Sequence, residues 1–310
     1  MTMRIVIHIG ATKTGSSALQ AMLYEQRHTL AQAGILYSEA GVVSGAHHLF
    51  AAALHPGAWR LHANDLPEDR DAYFKEAAAR MLTEAKDTGA HTILISSEYF
   101  WGSFSADVYQ RIAEAFSPAT FEIVAFVRRQ DDWVLSSYLQ AVKNGEARGL
   151  QGWMPMVSRW YGGLHYYRVI KRWSHFLKTD DIHVVRYADV KGDVLGALCR
   201  TARFDVALKN GAKLVNPSPS ARSLEQLLAV NGSELAPDEK ALERARIMRE
   251  QRQENGDRPV LSDADLDAIV RAALPSDRLL GRAYLGGPGL LENLPARQAQ
   301  PAQAAREGTC

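Results

Sequence analysis

The residues "HIGATKTGSS", 8 to 17, set out the first chemistry available to this chain. Gly10 and Gly15 have the separation of a nucleotide triphosphatase loop, GxxxxGK[ST]. In that pattern a lysine follows the second glycine and reaches the outer phosphates. Here Ser16 follows Gly15, and the lysine is Lys13, inside the loop. Backbone N–H groups at the start of a helix, hydroxyls from Ser16 and Ser17 and the Lys13 ammonium together suit an anion. A plain glycine turn with an exposed lysine is the simpler reading of so short a pattern.

A second candidate anion site lies at "VRRQDDWVLSSY", 127 to 138. Arg128 offers a planar fork for a phosphate, and Ser136 and Ser137, one or two helical turns later, offer hydroxyls. Alone, Arg128 and Arg129 would read as a solvated pair. Two anion sites in one sheet change that weighting. Glu98, just past the apolar "TILIS", is a carboxylate placed to take a proton. It also suits a turn cap or an ion pair with Lys13 or Arg128. The histidine pair His47 and His48 titrates near neutrality and competes with it for that role. Two adjacent histidines have no third ligand at useful spacing, so no metal site is expected.

The elements that must position these groups follow from the apolar pattern. "RIVIHI" (4 to 9), "TILIS" (92 to 96), "FEIVAFV" (121 to 127) and "IHVVRY" (182 to 187) read as buried strands separated by helical stretches. That alternation predicts an α/β fold, a parallel sheet between two helical layers. Asp131 or Asp132 is expected to cap the helix after "FEIVAFV", which should stop before Gly145. Residues 145 to 163 mix glycine, methionine and aromatics without a period and read as a mobile loop. Trp153 and Trp160 or Tyr161 in that loop offer aromatic faces that suit sugar rings or phenols and are candidate substrate contacts. Tyr166, Tyr167, Ile170 and Trp173 have helical spacing and read as core. Residues 1–287 are expected to form one domain, with a helical appendage from about 220, and 288–310 a disordered tail.

The bulk numbers bound the partners. With 36 Lys and Arg against 35 Asp and Glu in 310 residues, there is no global field for nucleic acid or anionic membrane. No apolar run reaches the length of a membrane span. Gly10 and Lys13 interrupt any secretory core, and two cysteines suggest no disulfide framework, so a cytoplasmic protein is expected. Oligomeric state has no signature here.

"GATKTGSSALQ" resembles the 5′-phosphosulfate loop of the sulfotransferases, in which lysine, threonine or serine, glycine and two hydroxyl residues follow one another. "VRRQDDWVLSSY" resembles their 3′-phosphate motif, where arginine precedes serine by eight positions, as Arg128 precedes Ser136. "YRVIKRW" and "NPSPSARSLEQLLAVNG" are similar to later segments of bacterial carbohydrate-type members. The resemblance implies a P-loop-like sulfotransferase fold and transfer of a sulfuryl group from 3′-phosphoadenylyl sulfate (PAPS) to an acceptor hydroxyl or amine. A carbohydrate or glycolipid hydroxyl is the leading acceptor, adenosine 3′,5′-bisphosphate (PAP) would be the product, and no metal is required. It puts Lys13 on the leaving oxygen and Thr14, Gly15, Ser16 and Ser17 around the 5′-phosphate. Arg128 and Ser136 go to the 3′-phosphate, Glu98 serves as base, and His47 or His48 orients the acceptor. Arg222 could close over the nucleotide, although the eukaryotic RKG triplet is missing. A P-loop-type ATP-dependent kinase and a non-catalytic nucleotide-binding protein of the same fold are the alternatives.

Overall fold

The computed structural model describes residues 2–54, 65–102, 104–160, 163–211, 218–251 and 257–292, without the side chains of 156–160. Five parallel strands form one sheet: β1 (Met3–His8), β2 (Ile35–Leu36), β3 (Thr92–Ser96), β4 (Ala119–Val127) and β5 (Ile182–Arg186). Their order is β2-β3-β1-β4-β5. The four strands read from sequence are present. β2, two residues long, carries too little pattern to be seen.

Side chains alternate across this sheet because successive residues of a strand point to opposite faces. Ile5 and Ile7, Ile93 and Ile95, and Ile123, Ala125 and Val127 belong to one core. Val6, Leu94, Val124 and Phe126 belong to the other. The second face is covered by α1 (Ser16–Glu25), α2 (Arg27–Gln32) and α10 (Val194–Thr201), which supply Leu19, Leu23, Leu30 and Leu198. The first face is covered by α3 (His48–Ala53), α4 (Arg70–Thr88), α5 (Ala106–Ala115), α6 (Gln130–Lys143) and α8 (Tyr166–Leu177). A short α9 (Tyr187–Val190) follows β5. The result is the three-layer α/β arrangement expected from the alternation. Each fully buried isoleucine contributes about 2 kcal/mol, so these two cores carry the fold.

After α8 the chain returns through α11 (Ala221–Gly232), α12 (Pro237–Glu250) and α13 (Asp263–Tyr284). α11 packs on α6, and α13 packs on α6 and α8, so these C-terminal helices extend the first face. Asp277 of α13, fully buried, accepts from Gln130 Nε2 at 3.1 Å and from the N–H groups of Leu290 and Leu291. Leu290 and Leu291 are buried, so packing continues past the expected boundary at 287. Residues 293–310 lie outside the described residues.

Two local expectations are corrected. α7 (Leu150–Trp160) is a helix where a mobile loop was expected. Glycine, methionine and Pro155 hide its period, and its amphipathic face closes on α6. α6 begins after Arg129 with no side-chain cap, and Asp131 and Asp132 sit in its first turn, where they favour the helix dipole.

Candidate functional site

The strand order creates a crevice at one place. β1 connects toward β2 on one side, whereas its neighbour β4 connects toward β5 on the other, so adjacent strands diverge at their carboxyl ends. Ligands of open α/β sheets bind outside such a switch point. Lys13 leaves β1 there and Arg128 leaves β4. The arrangement brings the two anion motifs, far apart in sequence, to one crevice.

The first motif is a tight loop. Ala11 N–H bonds the Phe126 carbonyl at 2.9 Å, which ties the loop to β4. Thr14 Oγ1 donates to the Ala11 carbonyl at 2.6 Å and lies 3.4 Å from Ser16 Oγ. Lys13 has φ 67, a left-handed conformation that costs a residue with a Cβ on the order of 1–2 kcal/mol. Gly15 caps α1 with φ 79, and a Cβ there would also stand 3.1 Å from Tyr187 Cε2 and 3.3 Å from Val194 Cγ1. Both the hand of the backbone and the space require glycine. Ser16 is buried and Ser17 exposed at the first turn of α1, which contains no acidic residue.

The second motif meets the first directly. Arg128 Nη1 donates to the Lys13 carbonyl at 3.3 Å. Arg128 also lies over the Tyr187 ring at 5.9 Å and 4.0 Å from the Asp132 carboxylate. Lys13 Nζ donates to Gln140 Oε1 at 3.3 Å. Asp132, Ser136 and Gln140 are spaced by four and share one face of α6. Ser136, buried, therefore stands between the residue facing Arg128 and the residue facing Lys13. Trp133 Nε1 donates to Thr12 Oγ1 at 3.1 Å and fixes α6 to the loop.

Charge in the crevice is unevenly matched. Lys13 is half-buried, and among the described residues it forms no ion pair. Burial, then the charges of Lys143 and Arg128, lower its pKa from the ordinary lysine value, while Glu98 opposes them. A half-buried cation held beside other cations is favoured further by an incoming anion.

Glu98 opens a 3-10 turn, Glu98–Phe100, after β3. Its Oε2 accepts from Gln20 Nε2 at 3.1 Å and lies 3.9 Å from His48 Nε2. His48 stacks on Tyr99 at 4.4 Å, with Nδ1 2.8 Å from Ser97 Oγ. The carboxylate also interacts electrostatically with Lys13.

The expected acceptor contacts divide. His48 stands beside Glu98. His47 does not reach the crevice: it is fully buried against Tyr37, its Nδ1 accepts the Ser96 N–H at 3.2 Å, and burial pushes its pKa down to about 3. Trp153 is likewise corrected, because it is 5% exposed and packs on Tyr138 at 5.5 Å, leaving no free face. The Trp160 side chain and Tyr161 lie outside the described residues. Tyr166, Ile170 and Trp173 are core, as their spacing indicates, and Tyr167 is half-buried. Arg222 sits in the first turn of α11.

Sequence reading missed Gln20, Gln140, Tyr187 and Trp133. Neutral side chains give no charge signal, and only topology brings them to the loop. Tyr187, directly after β5 at the carboxyl end of the sheet, was the one detectable by position.

Glu122, Asp181 and His183 bring three ligating atoms within 4.8 Å of one another toward the amino ends of the strands. Arg4 and Arg203 both bond the Glu122 carboxylate. The cations of that cluster are thus supplied by the chain itself.

No protein-family model matches the chain, and no curated protein sequence does. Among solved structures it is similar to a sulfotransferase from Alicyclobacillus acidocaldarius, with TM-score 0.46 and 18% identity over 80% of this chain and 96% of that one. It is also similar to the sulfotransferase domain from the curacin biosynthetic pathway, with TM-score 0.34 and 15% identity over 84% and 99%. A retinol dehydratase in complex with androsterone and inactive cofactor PAP aligns with TM-score 0.35 and 12% identity over 95% and 82%. TM-scores below 0.5 leave the functional reading to the chain's own side chains.

Proposed function

We propose that this protein is a sulfotransferase that moves the sulfuryl group of PAPS to an acceptor hydroxyl on a carbohydrate or glycolipid. One observation carries the reading: Arg128 Nη1 bonds the Lys13 carbonyl at 3.3 Å, so the two anion motifs meet at the switch point beside the N-terminus of α1, and among the described residues Lys13 forms no ion pair. Two anion motifs in one crevice suit an anion with two phosphate ends. The left-handed Lys13 and Gly15 are strained or glycine-only positions kept where that anion would bind.

When bound, PAPS would supply an activated sulfuryl group and leave as PAP. The chain's residues then have separate tasks. Thr14, Gly15, Ser16 and Ser17 surround the 5′ end with hydroxyls and the α1 N-terminus. Lys13 holds its ammonium at the bond that breaks, where negative charge develops on the leaving oxygen. Arg128 and Ser136 take the 3′-phosphate. Glu98 accepts the acceptor's proton as the new O–S bond forms, and His48 stands beside it to orient the acceptor.

The ATP-dependent alternative lacks its defining lysine after Gly15. Thermal melting separates the two readings, because a ligand that binds only the folded chain raises the melting temperature. PAP is expected to raise it without added metal. A rise with MgATP alone would overturn the sulfotransferase reading. A screen of hydroxyl acceptors with labelled PAPS then identifies the acceptor, and sugars are expected to lead it.

A further inference from the structure

α1 begins at the anion loop, and its residue one turn on from Ser16 is Gln20, 1% exposed. The Gln20 amide donates to Glu98 Oε2 at 3.1 Å, a contact between residues 78 apart. His48 Nε2 approaches the same oxygen at 3.9 Å. Ser97 Oγ accepts the Tyr99 N–H at 3.1 Å and lies 2.8 Å from His48 Nδ1. Gln20 supplies the hydrogen bond to Oε2, and among the described residues Oε1 forms none.

We propose that Gln20 is a positioning residue: it pins Glu98 Oε2 so that Oε1 is the oxygen presented to the acceptor, and it fixes the base to the helix that opens at the donor loop. The assignment of Glu98 as base rests on the sulfotransferase reading above. The physical link does not. A buried amide needs a partner, and a carboxylate gains more from that donor when ionised than when protonated. Gln20 therefore sets the direction of Glu98, alongside the other groups that face it: Lys13 from the loop, Tyr37 after β2 and His48 from α3.

Gln20→Met keeps length and apolar packing but removes the donor, and Gln20→Glu replaces it with a like charge. Two readouts apply to the full chain. One is the ¹³C carboxyl resonance of Glu98 against pH, assigned by its loss in Glu98→Gln. The other is the acid limb of kcat with labelled PAPS and the acceptor the screen identifies. Loss of the donor is expected to raise the midpoint of both in Gln20→Met, and further in Gln20→Glu. On the acid limb, kcat of both variants should fall below that of the wild type at the same pH, with the KM for PAPS and the affinity for PAP within twofold. A midpoint that stays at the wild-type value in both variants, with only a lowered melting temperature, would overturn the assignment and leave Gln20 as packing. Absence of transfer by the wild type would overturn the sulfotransferase reading instead, and the carboxyl resonance would still decide whether Gln20 holds Glu98.

Discussion

The two ends of this sheet treat charge in opposite ways. Toward the amino ends of the strands, Glu122, 1% exposed, is bonded by Arg4 and Arg203, with His183 3.5 Å away. Asp181 pairs with Arg203 at 3.0 Å and His183 at 2.8 Å. Glu122 and Asp181 each have a counter-charge there. At the carboxyl ends, among the described residues, Lys13 has no ion pair: it bonds the neutral Gln140, Lys143 and Arg128 repel it, and Glu98 alone opposes them. Matched charges cost the fold little and do nothing further. Unmatched ones cost stability and mark the place where a ligand completes the set.

That contrast is broken most sharply by exchanging losses between the two ends. Lys13→Ala is expected to lower sulfuryl transfer 10²- to 10³-fold, the size seen for loss of one preorganised donor at a developing anion. Its melting temperature should stay level or rise, because a half-buried, repelled cation is gone. Glu122→Ala should do the reverse. It leaves Arg4 without its buried partner, and about 3 kcal/mol of stability should be lost in denaturant titration while PAP affinity holds. If Lys13→Ala destabilised the chain as much as Glu122→Ala, the contrast would be wrong.

A third test concerns the buried histidines between these ends. Burial pushes His8 down to about 4 and His47 to about 3, and both contact Ser96. The folded pKa values lie below the unfolded value near 6.5, so the unfolded chain binds protons first on acidification. Stability is therefore full above about pH 6.5 and is lost as pH falls toward 4. The His8 share is about 3 kcal/mol, from its 2.5-unit shift. Unfolding free energy measured against pH should flatten in His8→Asn. A slope equal to the wild type between pH 6 and 4.5 would remove His8 from the account.

Smaller again is the effect at the second motif. Arg128→Ala should weaken PAP binding ten- to a hundredfold by calorimetry, with little change for adenosine 5′-phosphosulfate, which lacks the 3′-phosphate. Equal losses for both ligands would place Arg128 elsewhere.

How much of this was legible depended on the kind of signal. "FEIVAFV" and "RIVIHI" announce buried parallel strands because both faces are covered, whereas "IL" at 35 and 36 is too short to show a period. Lys13, Gly15, Arg128, Ser136 and Glu98 were readable from charge, glycine and spacing. Gln20 and Gln140 were not, since an amide becomes informative only when its partner, 78 or 127 residues away, is known. His47 and His48 are neighbours with opposite fates. The helix that starts at His48 turns the first toward Tyr37 and the second toward Glu98, and adjacency alone cannot separate them. Trp153 looked like a sugar platform because α7 was hidden by its glycine and proline.

The central claim is that Lys13 and Arg128 hold the two phosphate ends of one nucleotide. It is tested most directly by calorimetric titration of the full chain with PAP, adenosine 5′-monophosphate and adenosine 3′-monophosphate. The account expects PAP to bind at least tenfold more tightly than either monophosphate, because each loses one charge-assisted end. Equal affinity for all three, or tighter binding of MgATP than of PAP, would contradict it.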